Sequence, residues 1–175
     1  MSSSIVLQSN TCVVRSYRPD DAASLAHYGN NRRIWENLRD RFPHPFTEAD
    51  GAAYIAHNLQ SEDQTSFAID VGGTAIGGIS LRPGSDIERI TAELGYWTGE
   101  EFWGRGIATA AIRLITEHAF NDRKLDRVFA IPFIENIGSC RALEKNGYLL
   151  EGTMRRSALK DGRIRDQQLY AKVRG

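Results

Sequence analysis

Residues 93–109 read ELGYWTGEEFWGRGIAT, and the reading of this stretch decides the fold. Its first part alternates, with Leu94 and Tyr96 on one face of an extended chain and Glu93, Gly95 and Trp97 on the other. A short turn then opens onto Gly104-Arg105-Gly106, after which Ile107, Ala108, Ala111, Ile112, Ile115 and Ala119 recur at helical spacing. Glycines at such a junction let backbone approach a ligand closely. The first-turn amides of a helix lack carbonyl partners, and together with the helix dipole they favour an anion, so this strand-turn-helix reads as a pyrophosphate cradle. Two other readings compete: a tight strand-to-helix connection, and a dinucleotide-binding fingerprint. The second lacks its third glycine in Gly104-x-Gly106-x-x-Thr109.

Outward from this stretch the periodicity keeps switching. Upstream, Val13, Val14 and Tyr17 predict a strand that stops at Pro19, and Ala22, Leu25 and Ala26 predict a helix. Thr47 to Asp50, TEAD, is a capping pattern before Ala52, Ile55, Ala56 and Leu59 on one helical face. Phe67, Ile69 and Val71 alternate, Gly72-Gly73 offers a hairpin turn, Ile76 to Leu81 returns, and Arg89 to Trp97 forms a third strand. Downstream, Arg127 to Phe133 reads as a buried strand. Ile137, Cys140 and Leu143 form the stripe of a short helix with Asn136 as N-cap and Gly147 just past its end. Tyr148 to Met154 and Arg165 to Val173 close the chain as a strand pair, with a tight turn at Asp161-Gly162. The order β, α, α, three strands, α, β, α, β, β implies a mixed α+β sheet rather than a doubly wound one.

The chain has 175 residues with 22 basic against 22 acidic side chains. That length suits one domain, taken here as residues 11–175 behind a flexible leader at 1–10. Balanced charge argues against a nucleic-acid partner, and no apolar run is long enough for a bilayer, so a cytoplasmic location is expected. Cys12 and Cys140 have neither disulfide-framework nor metal spacing, and the four histidines are scattered, so no metal is expected.

The segments GYWTGEEFWGRGIATAAIRLI (95–115) and ENIGSCRALEKNGY (135–148) resemble the acetyl-CoA-binding motifs of the GNAT N-acetyltransferases, in particular the RimJ and RimL type that acetylates ribosomal-protein amino termini. NLRDRFPHPFTEADGAAYI (37–55) is similar to the first-helix loop of the same group. The resemblance implies a mostly antiparallel sheet of about seven strands with about four helices, splayed at its centre. It implies acetyl-CoA as cosubstrate, its pyrophosphate held by Trp103, Gly104, Arg105, Gly106, Ile107, Ala108 and Thr109. Trp103 replaces the usual first residue of that motif. The pantetheine arm would lie against Leu94, Gly95, Tyr96 and Trp97, with Asn136 and Ser139 facing it.

Acetyl transfer to an amine needs the ammonium to lose a proton and the leaving thiolate to be stabilised. Lysine-type amines have a pKa of about 10.4 and α-amines about 8, so a base or water relay must deliver the neutral nucleophile. Glu93 is the candidate base, although a strand glutamate is commonly ion-paired. Ser139 is the candidate acid or sulfur hydrogen-bond donor, although it equally suits a helix cap, as does Asn136. The tyrosine that many relatives carry seven residues after the asparagine is Leu143 here, and a glutamate of the RimL type is replaced by Ala158. Cys140 sits at apolar helical spacing, which suits core rather than a covalent route. The charges of Arg155, Arg156, Lys160, Arg163 and Arg165 read as a solvated hairpin face or a contact for an acidic group.

The acceptor pocket is expected along Asn30 to Thr47, with Trp35, Phe42 and Phe46 as walls and Arg39 and Asp40 as handles. The functional expectation is direct acetyl transfer to a primary amine, either a protein N-terminal α-amine or a small amine of polyamine or aminoglycoside type, by a monomer or homodimer. A non-catalytic acyl-CoA-binding module is the competing reading, and a nucleotide-dependent oxidoreductase ranks below it.

Overall fold

The computed structural model describes residues 5–61 and 63–175. Eight strands form one sheet in the order β1-β2-β3-β4-β5-β6-β8-β7. They are β1 (Val6–Gln8), β2 (Val13–Arg15), β3 (Ser66–Val71), β4 (Thr74–Pro83), β5 (Thr91–Thr98), β6 (Arg127–Ala130), β7 (Leu149–Lys160) and β8 (Arg163–Val173). Five helices accompany them: α1 (Ala22–Gly29), α2 (Arg32–Trp35), α3 (Glu48–Gln60), α4 (Ile107–Asn121) and α5 (Ile137–Lys145). This is the mixed, mostly antiparallel α+β sheet expected, with one more strand and one more helix.

The extra strand corrects part of the leader. Val6, Leu7 and Gln8 pair antiparallel with Arg15, Val14 and Val13, because backbone bonds to an existing edge order a segment with little core of its own. Residues 1–4 lie outside the described residues. The extra helix α2 starts at Asn31, whose side chain accepts from the amides of Arg33 and Ile34.

Each face of the sheet carries its own core. On one side α4 and α5 cover Phe67, Ile69, Leu81 and Leu94, and on the other α1 and α3 enclose Tyr17, Leu25, Phe46 and Ile55. The local signals place these helices as expected. Thr47 and Asp50 form a reciprocal capping box at α3, and the Asn136 side chain accepts from the Ser139 amide at 3.3 Å to cap α5. A register shift between Ile69 and Asp70 leaves Ile76 as an extra residue on β4, so that it joins Ile79 and Leu81 in one core.

Beneath the α1–α3 layer, Arg15 donates two hydrogen bonds of 2.8 Å to Asp21 and one of 2.7 Å to Asp70, all three side chains being buried. The bidentate fork satisfies a buried charge that would otherwise be costly.

The sheet's centre positions the site. Among the described residues β5 and β6 are its one parallel pair, and their ladder runs only from Thr91↔Arg127 to Glu93↔Phe129. β6 ends at Ala130, three residues short of the expected Phe133, because Pro132 has no amide to donate. Beyond it the chain follows β8 instead, with the Pro132 carbonyl accepting from Gln168 and the Ile134 amide donating to Asp166. β5 meanwhile stays with β4 up to Gly77↔Thr98. The two strands therefore part after Glu93. The β4–β5 register is unbroken from Pro83↔Ala92 onward, so Gly95 sits in regular strand without a bulge.

Candidate active site

Between β5 and α4 the chain turns through Trp103-Gly104-Arg105-Gly106. Trp103 clasps this turn: its indole donates to the Thr98 carbonyl at 2.9 Å and the Arg33 guanidinium lies over its ring at 5.1 Å. Its side chain is thus anchored within the fold. Gly104 and Gly106 have φ of 74° and 76°, a left-handed conformation costing other residues about 1–2 kcal/mol. A β-carbon built on either glycine meets nothing within 4 Å. The cradle is therefore open where a ligand would lie, with the first-turn amides of Ile107, Ala108 and Thr109 at its base. The Ile107 side chain is buried in the core, and the Thr109 carbonyl accepts from Asn146 at 3.0 Å, which ties the start of α4 to the end of α5. Arg105 lies over Phe102 at 5.5 Å.

The gap between β5 and β6 forms a cavity of about 310 Å³. Leu94, Gly95 and Tyr96 line one side and Pro132 and Phe133 the other, with Asn136 and Ser139 at the N-terminus of α5. Strand alternation sends Tyr96 away from Glu93 and towards α5, where its hydroxyl lies 2.6 Å from Ser139 Oγ. Burial pushes the Tyr96 phenol well above its ordinary range, although the Ser139 hydrogen bond works the other way. It therefore stays protonated and available as a hydrogen-bond donor. Asn136 and Ser139 take part in the cap of α5 and also line this cavity, so capping leaves both of them facing it.

Ala158 lines the same cavity, whereas Leu143 is fully buried in the core. A hydroxyl reaches the cavity from Tyr96 on the opposite strand instead. In the sequence Tyr96 stands out only through its strand backbone, because its side-chain partner lies 43 positions away. Cys140 is buried with its thiol 3.3 Å from Gln168 Oε1, and burial pushes the thiol up, as suits a core residue.

On the opposite face of β4 and β5 lies a second cavity of about 580 Å³. Phe42, Phe46 and Trp97 wall it: the phenylalanine rings stack at 4.6 Å and Phe42 meets Trp97 edge-on at 5.4 Å. Two expected residues are elsewhere. Trp35 lies under the Lys160 ammonium at 3.8 Å, and Asp40 pairs with Lys160 at 2.9 Å and borders the gap between the strands instead. Lys160 is itself buried and Arg165 lies over Phe133 at 3.7 Å, so the hairpin's charges do not form one solvated face.

The two cavities share Leu38, Arg39, Glu93, Gly95 and Tyr96. Glu93 stands at this junction, ion-paired to Arg39 from the loop after α2 and to Arg82, its cross-strand neighbour on β4. Burial alone would raise its carboxyl, but the two guanidinium groups outweigh that and hold it below the usual carboxylate range. Glu93 is thus ionised and charge-paired at rest. Among the described residues no group of three or more His, Cys, Asp or Glu side chains is arranged to hold a metal, and no helix is long and apolar enough to cross a membrane.

Comparison with known proteins agrees with this geometry. Residues 12–149 match the family model described as an acetyltransferase (GNAT) domain. The chain is 40% identical to a probable N-acetyltransferase, YjcK, of Bacillus subtilis, over 95% of this chain and 96% of that protein. It is 30% identical over 83 residues to a ribosomal-protein-serine acetyltransferase of Escherichia coli, covering 47% of this chain and 46% of that one. Its fold superposes with a TM-score of 0.84 on RimL, a ribosomal L7/L12 α-N-protein acetyltransferase in complex with coenzyme A, at 19% identity and covering 97% and 98% of the two chains.

Proposed function

The chain belongs to the GNAT acetyltransferase family and is an acetyl-CoA-dependent N-acetyltransferase, and we propose that it transfers the acetyl group directly to a primary α-amine that enters from the Phe42–Trp97 side. The observation that carries this reading is the junction at Glu93. The cavity that suits the thioester arm and the cavity that suits the acceptor meet there, and the β5–β6 ladder ends at the same residue.

In this reading the cradle from Trp103 to Thr109 holds the pyrophosphate by backbone amides, and Leu94 to Trp97 present strand backbone to the pantetheine arm. Acetyl-CoA supplies an activated carbonyl and a thiolate leaving group. Ser139 and Tyr96 share one proton between them and have one left to donate where that thiolate develops. A thiol titrates near 8.5 and an unperturbed phenol near 10, so full proton transfer from Tyr96 would run uphill. Burial makes it steeper. The pair therefore acts by stabilising charge rather than as a strong acid.

Glu93 holds the incoming ammonium and takes its proton directly or through water. A carboxylate held this low is a weak base, which favours α-amines near pKa 8 over lysine side chains near 10.4. A protein N-terminal amine, of the kind named for RimL, is the first acceptor to try. The test is thiol release from acetyl-CoA with peptides bearing free or blocked amino termini and with a polyamine. Release that requires a free α-amine supports the assignment, and equal release from blocked peptides carrying lysine overturns it.

A further inference from the structure

The charges around the junction do not balance for a simple amine. Glu93 is only 17% exposed and already carries two guanidinium partners, Arg39 and Arg82. Arg41 lines the acceptor cavity as well. The other carboxylate there, Asp50, is engaged by the Thr47 amide and hydroxyl at the start of α3. A bare ammonium approaching Glu93 would place a third cation on one carboxylate. No further carboxylate lines the cavity to offset it.

We propose that the acceptor is an amine that also carries a carboxylate: its ammonium takes the place of an arginine on Glu93, and its carboxylate receives the guanidinium so released. This rests on the reading that the acceptor reaches the thioester through the Glu93 junction. The exchange leaves no charge unpaired, because one pair is opened and two are formed while one charge of each sign enters. Arginine suits the second half of the exchange, since its planar fork matches a carboxylate through two parallel hydrogen bonds. The positions fit as well. Arg82 is held on a regular strand directly opposite Glu93, whereas Arg39 comes from a loop, so Arg39 is the partner placed to swing onto an arriving group. Phe42, Phe46 and Trp97 leave the rest of the cavity for an apolar side chain.

Two sources share this chemistry: a free α-amino acid, whose carboxylate adjoins the amine, and a peptide with an acidic residue next to its amino terminus. The experiment uses the full chain with acetyl-CoA and two acceptor series. One compares L-phenylalanine, L-phenylalaninamide and phenethylamine, and the other compares peptides beginning Ser-Glu and Ser-Gln. Each kcat/KM is referred to the fraction of neutral amine present. The expected result is a preference for the carboxylate-bearing member of one series of roughly 10- to 100-fold, the scale of a charge-assisted hydrogen bond. The series that shows it identifies the source. Arg39→Gln should shrink that preference, mainly through KM, and Arg82→Gln should shrink it less, while thermal melting confirms the fold.

Turnover without preference in either series, or a preference indifferent to both arginine substitutions, overturns the inference and leaves the acetyltransferase reading standing. Tight acetyl-CoA binding with turnover of no amine overturns both.

Discussion

Tyr96 Oη lies 2.6 Å from Ser139 Oγ, so a strand side chain and a helix side chain face each other across the opening between β5 and β6. Neither hydroxyl is placed there by its own element alone, and their joint position is what gives the cavity a hydrogen-bonding wall.

If that pair stabilises the departing thiolate, Tyr96→Phe and Ser139→Ala should each lower kcat by roughly 10- to 100-fold, the loss of one hydrogen bond to a charged group. The double variant should lose less than the product of the two, because the hydroxyls support each other. Steady-state kinetics on all four proteins measures the coupling, and strictly multiplicative losses would count against a shared role.

Glu93 bears on the pH profile. Its carboxyl sits below the usual range and is ionised throughout neutral pH. The rise of kcat/KM with pH should therefore follow the acceptor, with a midpoint near 8 for α-amines that moves when an amine of different pKa is used. Glu93→Gln should lower kcat/KM by roughly 10²-fold, the ordinary scale of a proton-transfer group, at every pH tested. A midpoint that stays put across amines would point to a different base.

The cradle makes a binding prediction. Gly106→Val forces a β-branched residue to a φ of 76° at the start of α4, and the side chain would stand in the open space above the first-turn amides. The strain is about 1–2 kcal/mol, small enough for the protein to fold. Calorimetry should nevertheless find acetyl-CoA affinity reduced at least about tenfold, an energy of about 1.4 kcal/mol.

Stability should depend on the buried Arg15 cluster. Arg15→Met leaves Asp21 and Asp70 without their shared cation, and breaking such a buried pair costs about 3–5 kcal/mol. Burial works to raise the Asp21 carboxyl, but hydrogen bonds from Arg15 and the Arg18 amide prevail and hold it below its ordinary value. A depressed carboxylate contributes stability that is fully present above its unfolded pKa of about 3.9 and is lost as pH falls through the lower folded value. Melting temperature against pH should thus fall more steeply below about pH 4 in the wild type than in Asp21→Asn.

Much of the fold was legible locally. The glycines at 104 and 106, the Thr47–Asp50 box, the Asn136 cap and the Asp161-Gly162 turn each act within a few residues, so their signals lie in the chain itself. Val6–Gln8 was missed because its strand exists only through its pairing with β2, and α2 because a four-residue helix carries too short a period to read.

The site divides along the same line. Alternation along β5 already separates Glu93 from Tyr96, and the Gly-x-Gly turn already marks a candidate anion cradle, since both follow from backbone geometry over neighbouring positions. Everything that turns those residues into chemistry comes from distant parts of the chain. Arg39 reaches Glu93 from 54 positions away, Ser139 reaches Tyr96 from 43, and Ala158, not Leu143, faces the gap. Those meetings depend on where two neighbouring strands cease to share hydrogen bonds, a property of packed layers that no local spacing encodes.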